Sequence, residues 1–188
     1  EAALNAGNEA ALRGILWSDT HWRDLMAFTW TITPHDSLDQ AVSGLLAAQP
    51  AIQAHNFRLA EHRTAPRRVM RHGVASIEAF FSFETATARC SGTLRLMADA
   101  PDKAWVIATT LDELKGHEEP INMRRPAGSA YSRNFGGDNW SDIRAKKAAF
   151  ADSDPAVVIV GAGQAGLAIA ARLGLLGVDT LIVDRDAR

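Results

Sequence analysis

Residues Ala156 to Asp184 read AVVIVGAGQAGLAIAARLGLLGVDTLIVD. The opening run Val157-Val158-Ile159-Val160 is continuously apolar, as a parallel strand buried on both faces requires. It stops at Gly161-Ala162-Gly163-Gln164-Ala165-Gly166, a G-x-G-x-x-G. The next segment carries Leu167, Ala170, Ala171, Leu173 and Leu176 on one side of a helix, and Gly177 stands where a helix C-cap belongs. Thr180-Leu181-Ile182-Val183 then predicts a second strand, ending on Asp184. In this pattern Gly161 allows a tight turn, Gly163 lets the backbone approach a pyrophosphate, and Gly166 lets helix and strand pack closely. The helix N-terminus offers free N–H groups and a positive dipole to phosphate. Asp184 lies about 20 residues past the glycines, where a carboxylate accepts from a ribose diol. It would repel a 2′-phosphate, so FAD or NAD is expected over NADP.

Working outward from this unit, the length of 188 residues suits one or two domains. With 47% hydrophobic and 22% charged residues the chain has a globular rather than a disordered composition. A net charge of -2 gives no reason to expect a nucleic-acid partner. Arg67, Arg68, Arg71 and His72 form a local basic cluster, read as solvated loop charge. The one cysteine, Cys90, forms no internal disulfide and points to a reducing, cytoplasmic setting. No segment reads as a signal peptide or as a membrane span. A dinucleotide-binding fold needs more strands than the two found here, and the chain begins at Glu1 rather than at a methionine. The expectation is a fragment of a larger protein.

Ahead of the dinucleotide unit the pattern predicts an α+β domain over residues 1–119. Leu4, Ala11, Leu12 and Ile15 give a rough helical stripe weakened by Gly7 and Gly14. Ser18 or Asp19 could cap a second helix carrying Trp22, Leu25, Met26 and Trp30 at helical spacing. Thr33-Pro34-His35-Asp36 reads as a turn, and Ser37-Leu38-Asp39-Gln40 as a capping box for a helix that must end before Pro50. Beyond it the period becomes two. Phe57 and Leu59 mark a short strand; Pro66 and the basic cluster mark a break. Ile77 to Phe83, Leu94 with Leu96, and Trp105 to Leu111 mark an antiparallel meander, with a turn at 99–103. Residues 120–154 read as a linker that Ile121, Tyr131, Phe135 and Trp140 could pin to a domain surface, with a short helix near 141–150. Residues 155–188 are the opening βαβ of the dinucleotide domain.

Several stretches together carry a family resemblance: WRDLMAFTW (22–30), IEAFFSFET (77–85), LDELKGHEE (111–119), RRPAG (124–128), NW-x-D-x-R (139–144) and the run from Asp154 to Arg185. With them the chain resembles the N-terminal part of a family of flavin-containing monooxygenases of bacteria and fungi. These carry a SnoaL-like, nuclear transport factor 2-like domain ahead of the flavin domain. The resemblance implies a cone-shaped domain of helices on a curved antiparallel sheet, then the start of a Rossmann-like FAD-binding domain. It implies FAD at Gly161, Ala162, Gly163, Gln164, Ala165, Gly166, Asp184 and Arg185, with NADPH bound by a second glycine motif further on. The implied chemistry inserts oxygen from O₂ into a small organic substrate through a peroxyflavin. A homodimer through the N-terminal domain is a further implied partner; nucleic acid and membrane are not. Two other readings stay open: an FAD- or NAD-dependent oxidoreductase without oxygen chemistry, and an N-terminal module that only binds or dimerises.

No catalytic residue follows from the sequence. His21, Asp24, His35, Asp36, His55, His62 and His72 could serve proton transfer in a cone-shaped cavity, but no spacing forces any two together. Trp22, Trp30, Phe80, Phe81 and Trp105 could line such a cavity, although aromatics at these spacings are more often core. His117-Glu118-Glu119 lacks Cys or His partners at metal-ligand spacing, so no metal is expected. Cys90, without a neighbouring His or Lys, reads as a buried thiol rather than a nucleophile.

Overall fold

The computed structural model describes residues 1–125 and 136–185. Residue contacts divide the chain into two units, Glu1–Gly116 and His117–Arg188.

The first unit begins with two short helices, α1 (Ala2–Asn5) and α2 (Glu9–Ile15). They are separated at Gly7, whose φ is +61°, and Asn8 caps α2 by accepting from the Ala11 N–H. The chain then enters strand β1 (Leu16–Leu25), where a helix was expected. Past the buried Leu16, the strand alternates with Thr20, Trp22 and Asp24 inward. Two of the three are polar, so the alternation is invisible to a count of apolar residues. Met26 and Trp30, which gave the segment its helical spacing, sit in the following loop at φ +66° and +58°.

The predicted turn at 33–36 is largely strand β2 (Ile32–His35), paired antiparallel with β1. Helix α3 (Leu38–Ile52) starts at the expected cap, Ser37, which accepts from the Gln40 N–H. It runs through Pro50 instead of ending before it. Proline costs the helix one hydrogen bond, but its own φ suits the helix. The last turn is held from beyond: Gln53 in left-handed conformation donates to the Gln49 carbonyl, and the Gln49 side chain bonds both N–H and C=O of Ala54.

Strands β3 (His55–Leu59), β4 (Arg67–Arg71), β5 (Val74–Glu84), β6 (Ala88–Met97) and β7 (Ala104–Leu114) follow. The basic cluster is therefore not a loop: Arg67 to Arg71 form β4, paired with the first half of β5, while β3 pairs with its second half. The seven strands make one sheet of order β2-β1-β7-β6-β5-β3, with β4 on β5. The expected meander β5-β6-β7 is antiparallel, but β1 runs parallel to β7, so the sheet is mixed rather than antiparallel throughout. Between β2 and β3 the chain passes through α3, which frees the first and last strands from the alternation hairpins impose. Bulges in β1–β7 and β6–β7 bend the sheet. The helices cover one face, and Leu12, Trp22, Phe28, Val42, Phe83 and Cys90 are among the core residues between them. The expected α+β class, helices on a curved sheet, is the one found.

The described residues of the second unit form a 3-10 turn (Asn122–Arg124), helix α4 (Trp140–Ala149), strand β8 (Val157–Val160), helix α5 (Gln164–Leu175) and strand β9 (Thr180–Val183). Helix α4 is the short helix expected near 141–150, and it opens on a capping box of Asn139 and Asp142. Tyr131 and Phe135, expected to pin the linker, lie outside the described residues. Strands β8 and β9 pair in parallel, Val157 opposite Thr180 and Val160 opposite Val183. A parallel pair needs a crossover, and α5 supplies it.

Candidate functional site

The G-x-G-x-x-G runs from the end of β8 into the first turn of α5, and its three glycines do different work. Gly161 donates to the Val183 carbonyl at 2.8 Å and has φ +102°, a conformation that favours glycine. At Gly166 a Cβ would sit 2.0 Å from the Gly161 carbonyl oxygen and 3.2 Å from Ile159 Cγ2. Helix and strand could not approach as they do with any side chain there. Gly163 is different: its φ is −70°, and a Cβ would meet nothing within 4 Å. Among the described residues nothing requires glycine at this position. The close approach of a pyrophosphate would require it.

Gly163 is also the N-cap of α5 and offers no side-chain cap, while its carbonyl accepts from Leu167 at 3.0 Å. The first-turn N–H groups, from Gln164 and Ala165 onward, thus meet no capping side chain, and the helix dipole adds positive potential. Asp184, at the end of β9, accepts from the Ala162 N–H at 2.5 Å, which ties the acidic residue to the glycine turn. Val160, Gly161, Val183, Asp184 and Arg185 line a cleft of about 460 Å³. The residues expected at this site therefore share one end of the β8–β9 pair. Val160 and Val183 join them, and their position at the C-terminal ends of the strands was the available signal. At the far end Gly177, φ +72°, follows the last turn, and Val178 donates back to the Leu173 carbonyl, a helix stop of the expected kind.

The comparisons with known proteins fall on the two units separately. Residues 154–188 match the FAD binding domain family. No curated protein matches the chain. Among solved structures, an NTF2-like protein of unknown function from Cytophaga hutchinsonii is 10% identical, with 59% of this chain and 81% of that chain covered and a TM-score of 0.35. A steroid delta-isomerase from Pseudomonas aeruginosa is 14% identical, with 61% and 75% covered and a TM-score of 0.37. A protein of unknown function with a cystatin-like fold from Methylobium petroleophilum is 8% identical, with 61% and 73% covered and a TM-score of 0.39. The α+β unit lies ahead of the residues that match the FAD binding domain family, as the sequence led one to expect.

The titratable candidates of the first unit do not converge on a cavity. Asp24 is fully buried and accepts from the N–H groups of Ala27, Phe28 and Thr29 and from the hydroxyls of Thr29 and Thr109, at 2.7–3.2 Å. Both oxygens are occupied in fixing the 26–31 loop. His21 lies 3.6 Å from Asp19 and 3.6 Å from Asp36 at the surface, a grouping the sequence did not foretell. The His35 ring stacks on Trp22 at 4.4 Å between centroids. His55 bonds the Gln53 carbonyl, and His62 and His72 are exposed. Of the aromatic candidates, Trp22 is core, Trp30 is exposed and Phe81 faces a cavity. Cys90 is buried, and burial pushes its thiol up to about 12. Among the described residues no three His, Cys, Asp or Glu side chains gather to hold a metal, and no helix is long and apolar enough to cross a membrane.

Proposed function

We propose that the chain is the N-terminal part of an FAD- and NADPH-dependent monooxygenase that inserts oxygen into a small organic substrate. The observation that carries the flavin part is Gly163, where a Cβ would meet none of the described residues, at the uncapped N-terminus of α5 and next to Ala162, whose N–H donates to Asp184. The match of residues 154–188 to the FAD binding domain family supports the choice of FAD. In this reading the N–H groups of the α5 first turn face the pyrophosphate. Gly161 and Gly166 hold turn and helix in place, Asp184 accepts from the adenosine ribose, and Arg185 flanks the cleft. Bound flavin would supply electron transfer from NADPH and reaction with O₂; the chain's own residues bind and orient it. NADPH, O₂ and the oxygen-insertion step rest on the family resemblance of the sequence. So do a homodimer through the first unit and a cytoplasmic setting, where an unpaired cysteine is ordinary.

The test is FAD titration of the apo form of the full-length parent, followed by flavin fluorescence. Asp184→Ala loses charge-assisted hydrogen bonds worth roughly 1.5–3 kcal/mol each, so affinity should fall at least about tenfold. Gly163→Val should do worse while leaving the fold intact, since its side chain meets only the pyrophosphate. Wild-type affinity in both variants removes FAD from this site. NADPH-driven O₂ uptake by the parent tests the finer step: its absence would retire the monooxygenase and leave the flavin site standing.

A further inference from the structure

On β5 the side chains of Phe81 and Phe83 turn to the core, so strand alternation sends Ser76 and Glu78 to the opposite face of the sheet. Glu78 stands opposite Arg67 of β4 and opposite Arg95 of β6. Direct cross-strand neighbours lie about 4.5–5.5 Å apart at Cβ, so these three side chains form a row. Arg71, opposite Val74, reaches back along β4 to the same carboxylate. Glu78 is buried, Arg71 and Arg95 are half-buried, and Arg67 is exposed.

Three guanidiniums thus share one carboxylate. Arg71 grips it with Nε and Nη2, Arg67 with Nη2 alone and Arg95 with Nε alone, at 3.0–3.3 Å. Charge-assisted bonds are ordinarily about 2.7–2.9 Å long; all of these are longer, as where cations crowd one anion and repel each other. A single bidentate arginine satisfies a buried carboxylate, and Arg71 does so. Arg67 and Arg95 add charge that the burial of Glu78 does not need. Each guanidinium carries several N–H donors, so Arg67 and Arg95 keep N–H groups that meet no acceptor among the described residues. Beside them on the same face the Ser76 hydroxyl is buried without a partner among the described residues, where buried hydroxyls are ordinarily bonded. The whole chain has a net charge of -2, so the positive surplus belongs to this place and not to the composition.

We propose that Arg67, Arg71 and Arg95 form a binding site for a phosphate monoester group, with Glu78 as the post that holds the guanidiniums side by side. Such a group carries about -1.5 to -2 charges at pH 7, against three cations and one carboxylate here. Its oxygens match the planar fork of a guanidinium. The site lies on β4, β5 and β6 of the first unit and owes nothing to the dinucleotide turn, so its failure leaves the flavin reading untouched, and the reverse.

The experiment follows the arginine Nε–H and backbone amide resonances of the 188-residue chain during titration with phenyl phosphate. Ionic strength is held constant at about pH 7.5, where the ester, with a second pKa of about 6, is a dianion. The expected result is saturable shifts of the Arg67, Arg71 and Arg95 signals with one common affinity. The Gln164 and Ala165 amides report phosphate at the dinucleotide turn separately. Benzenesulfonate, a monoanion of similar shape, should bind at least about tenfold more weakly. Arg67→Gln, at an exposed position, and Arg95→Gln should each weaken phenyl phosphate about threefold or more. A phosphoserine tripeptide titrated in parallel distinguishes a phosphorylated protein segment from a free phosphate ester as the source, and tighter binding of either supports the site. Protection of Cys90 from a thiol reagent reports that the variants are folded. If Arg95→Gln does not fold, Arg67→Gln decides alone. Absent saturation at the three arginines, equal binding of the sulfonate, or unchanged affinity in every folded variant overturns the proposal.

Discussion

In the first unit Trp22, Val42 and Phe83 are 1%, 1% and 2% exposed, whereas in the second Val158, Val160, Leu167 and Ile169 are 53%, 86%, 54% and 52% exposed. The same residue types, chosen by the same period, end in opposite surroundings. The first unit wraps a bent sheet with three helices and closes its own core. Among the described residues of the second, α5 lies along β8 and β9, an arrangement that covers one side of each strand. Its order comes from the backbone: the Gly161 turn, the close contact at Gly166 and the Asp184–Ala162 bond. One region is held by burial and the other by local geometry.

The largest effect that would break this contrast is expected at Asp24. Replacing it with alanine leaves three backbone N–H groups and two hydroxyls without their acceptor in a closed core. Unsatisfied buried donors cost about 1–3 kcal/mol each, and partial rehydration should leave a net loss of roughly 3 kcal/mol or more. Urea unfolding read by Cys90 reactivity reports the first unit alone. A loss below about 1 kcal/mol would show that the loop, rather than the carboxylate, organises this end of the sheet.

Asp24 also explains what was legible in the sequence. The meander from Ile77 to Leu111, the Ser37 cap and the whole glycine unit were readable, because their apolar period or their glycines state the geometry directly. Strand β1 was not, since it buries Thr20 and Asp24 where a strand pattern asks for apolar residues. Strand β4 was hidden by its arginines, which make sense only beside Glu78 of β5. The continuation of α3 past Pro50 depends on Gln49 reaching Ala54, a contact that no propensity encodes. At the site, Gly161, Gly163, Gly166 and Asp184 were legible as a group. Their division of labour was not, because it depends on which Cβ would collide with what.

Glu78 gives a middle-sized effect. It is buried on β5 and receives Arg71 at 3.2 Å, Arg95 at 3.0 Å and Arg67 at 3.3 Å. Hydrogen bonds from Arg71 foremost, then from Arg95 and Arg67, hold its carboxyl at about 2 against the opposing effect of burial; the ordinary value is 4.5. Glu84, bonded by Lys115 and Asn56, is likewise held at about 2. A carboxyl whose folded pKa is lowered stabilises above its unfolded pKa, and the contribution drains away as pH falls toward the folded value. The first unit should therefore weaken between pH 4.5 and about 2. Because the arginines are partly exposed, Glu78→Gln should cost only about 1–2 kcal/mol at neutral pH. The gap between variant and wild type should close as the solution is acidified. A gap constant from neutral pH to pH 3 would mean that the carboxylate is not held by the arginines.

The smallest effect is expected where the contrast between the regions is sharpest, and one substitution made twice measures it. Valine and threonine share a shape, so Val42→Thr and Val160→Thr change polarity at nearly constant volume. Val42 sits in the core of α3, and its variant places a hydroxyl among apolar neighbours. Even with a bond back along the helix, this should cost about 1–2 kcal/mol. Val160 lies at the exposed end of β8. Threonine suits a strand as well as valine does and keeps its hydroxyl in water, so the change should stay within about 0.5 kcal/mol. Cys90 reactivity reads the first variant, and hydrogen exchange of the β8 and β9 amides reads the second. If Val160→Thr costs as much as Val42→Thr, the open face of β8 is covered in solution by contacts from outside the described fold. The difference between the units would then belong to the isolated chain rather than to the protein as it assembles.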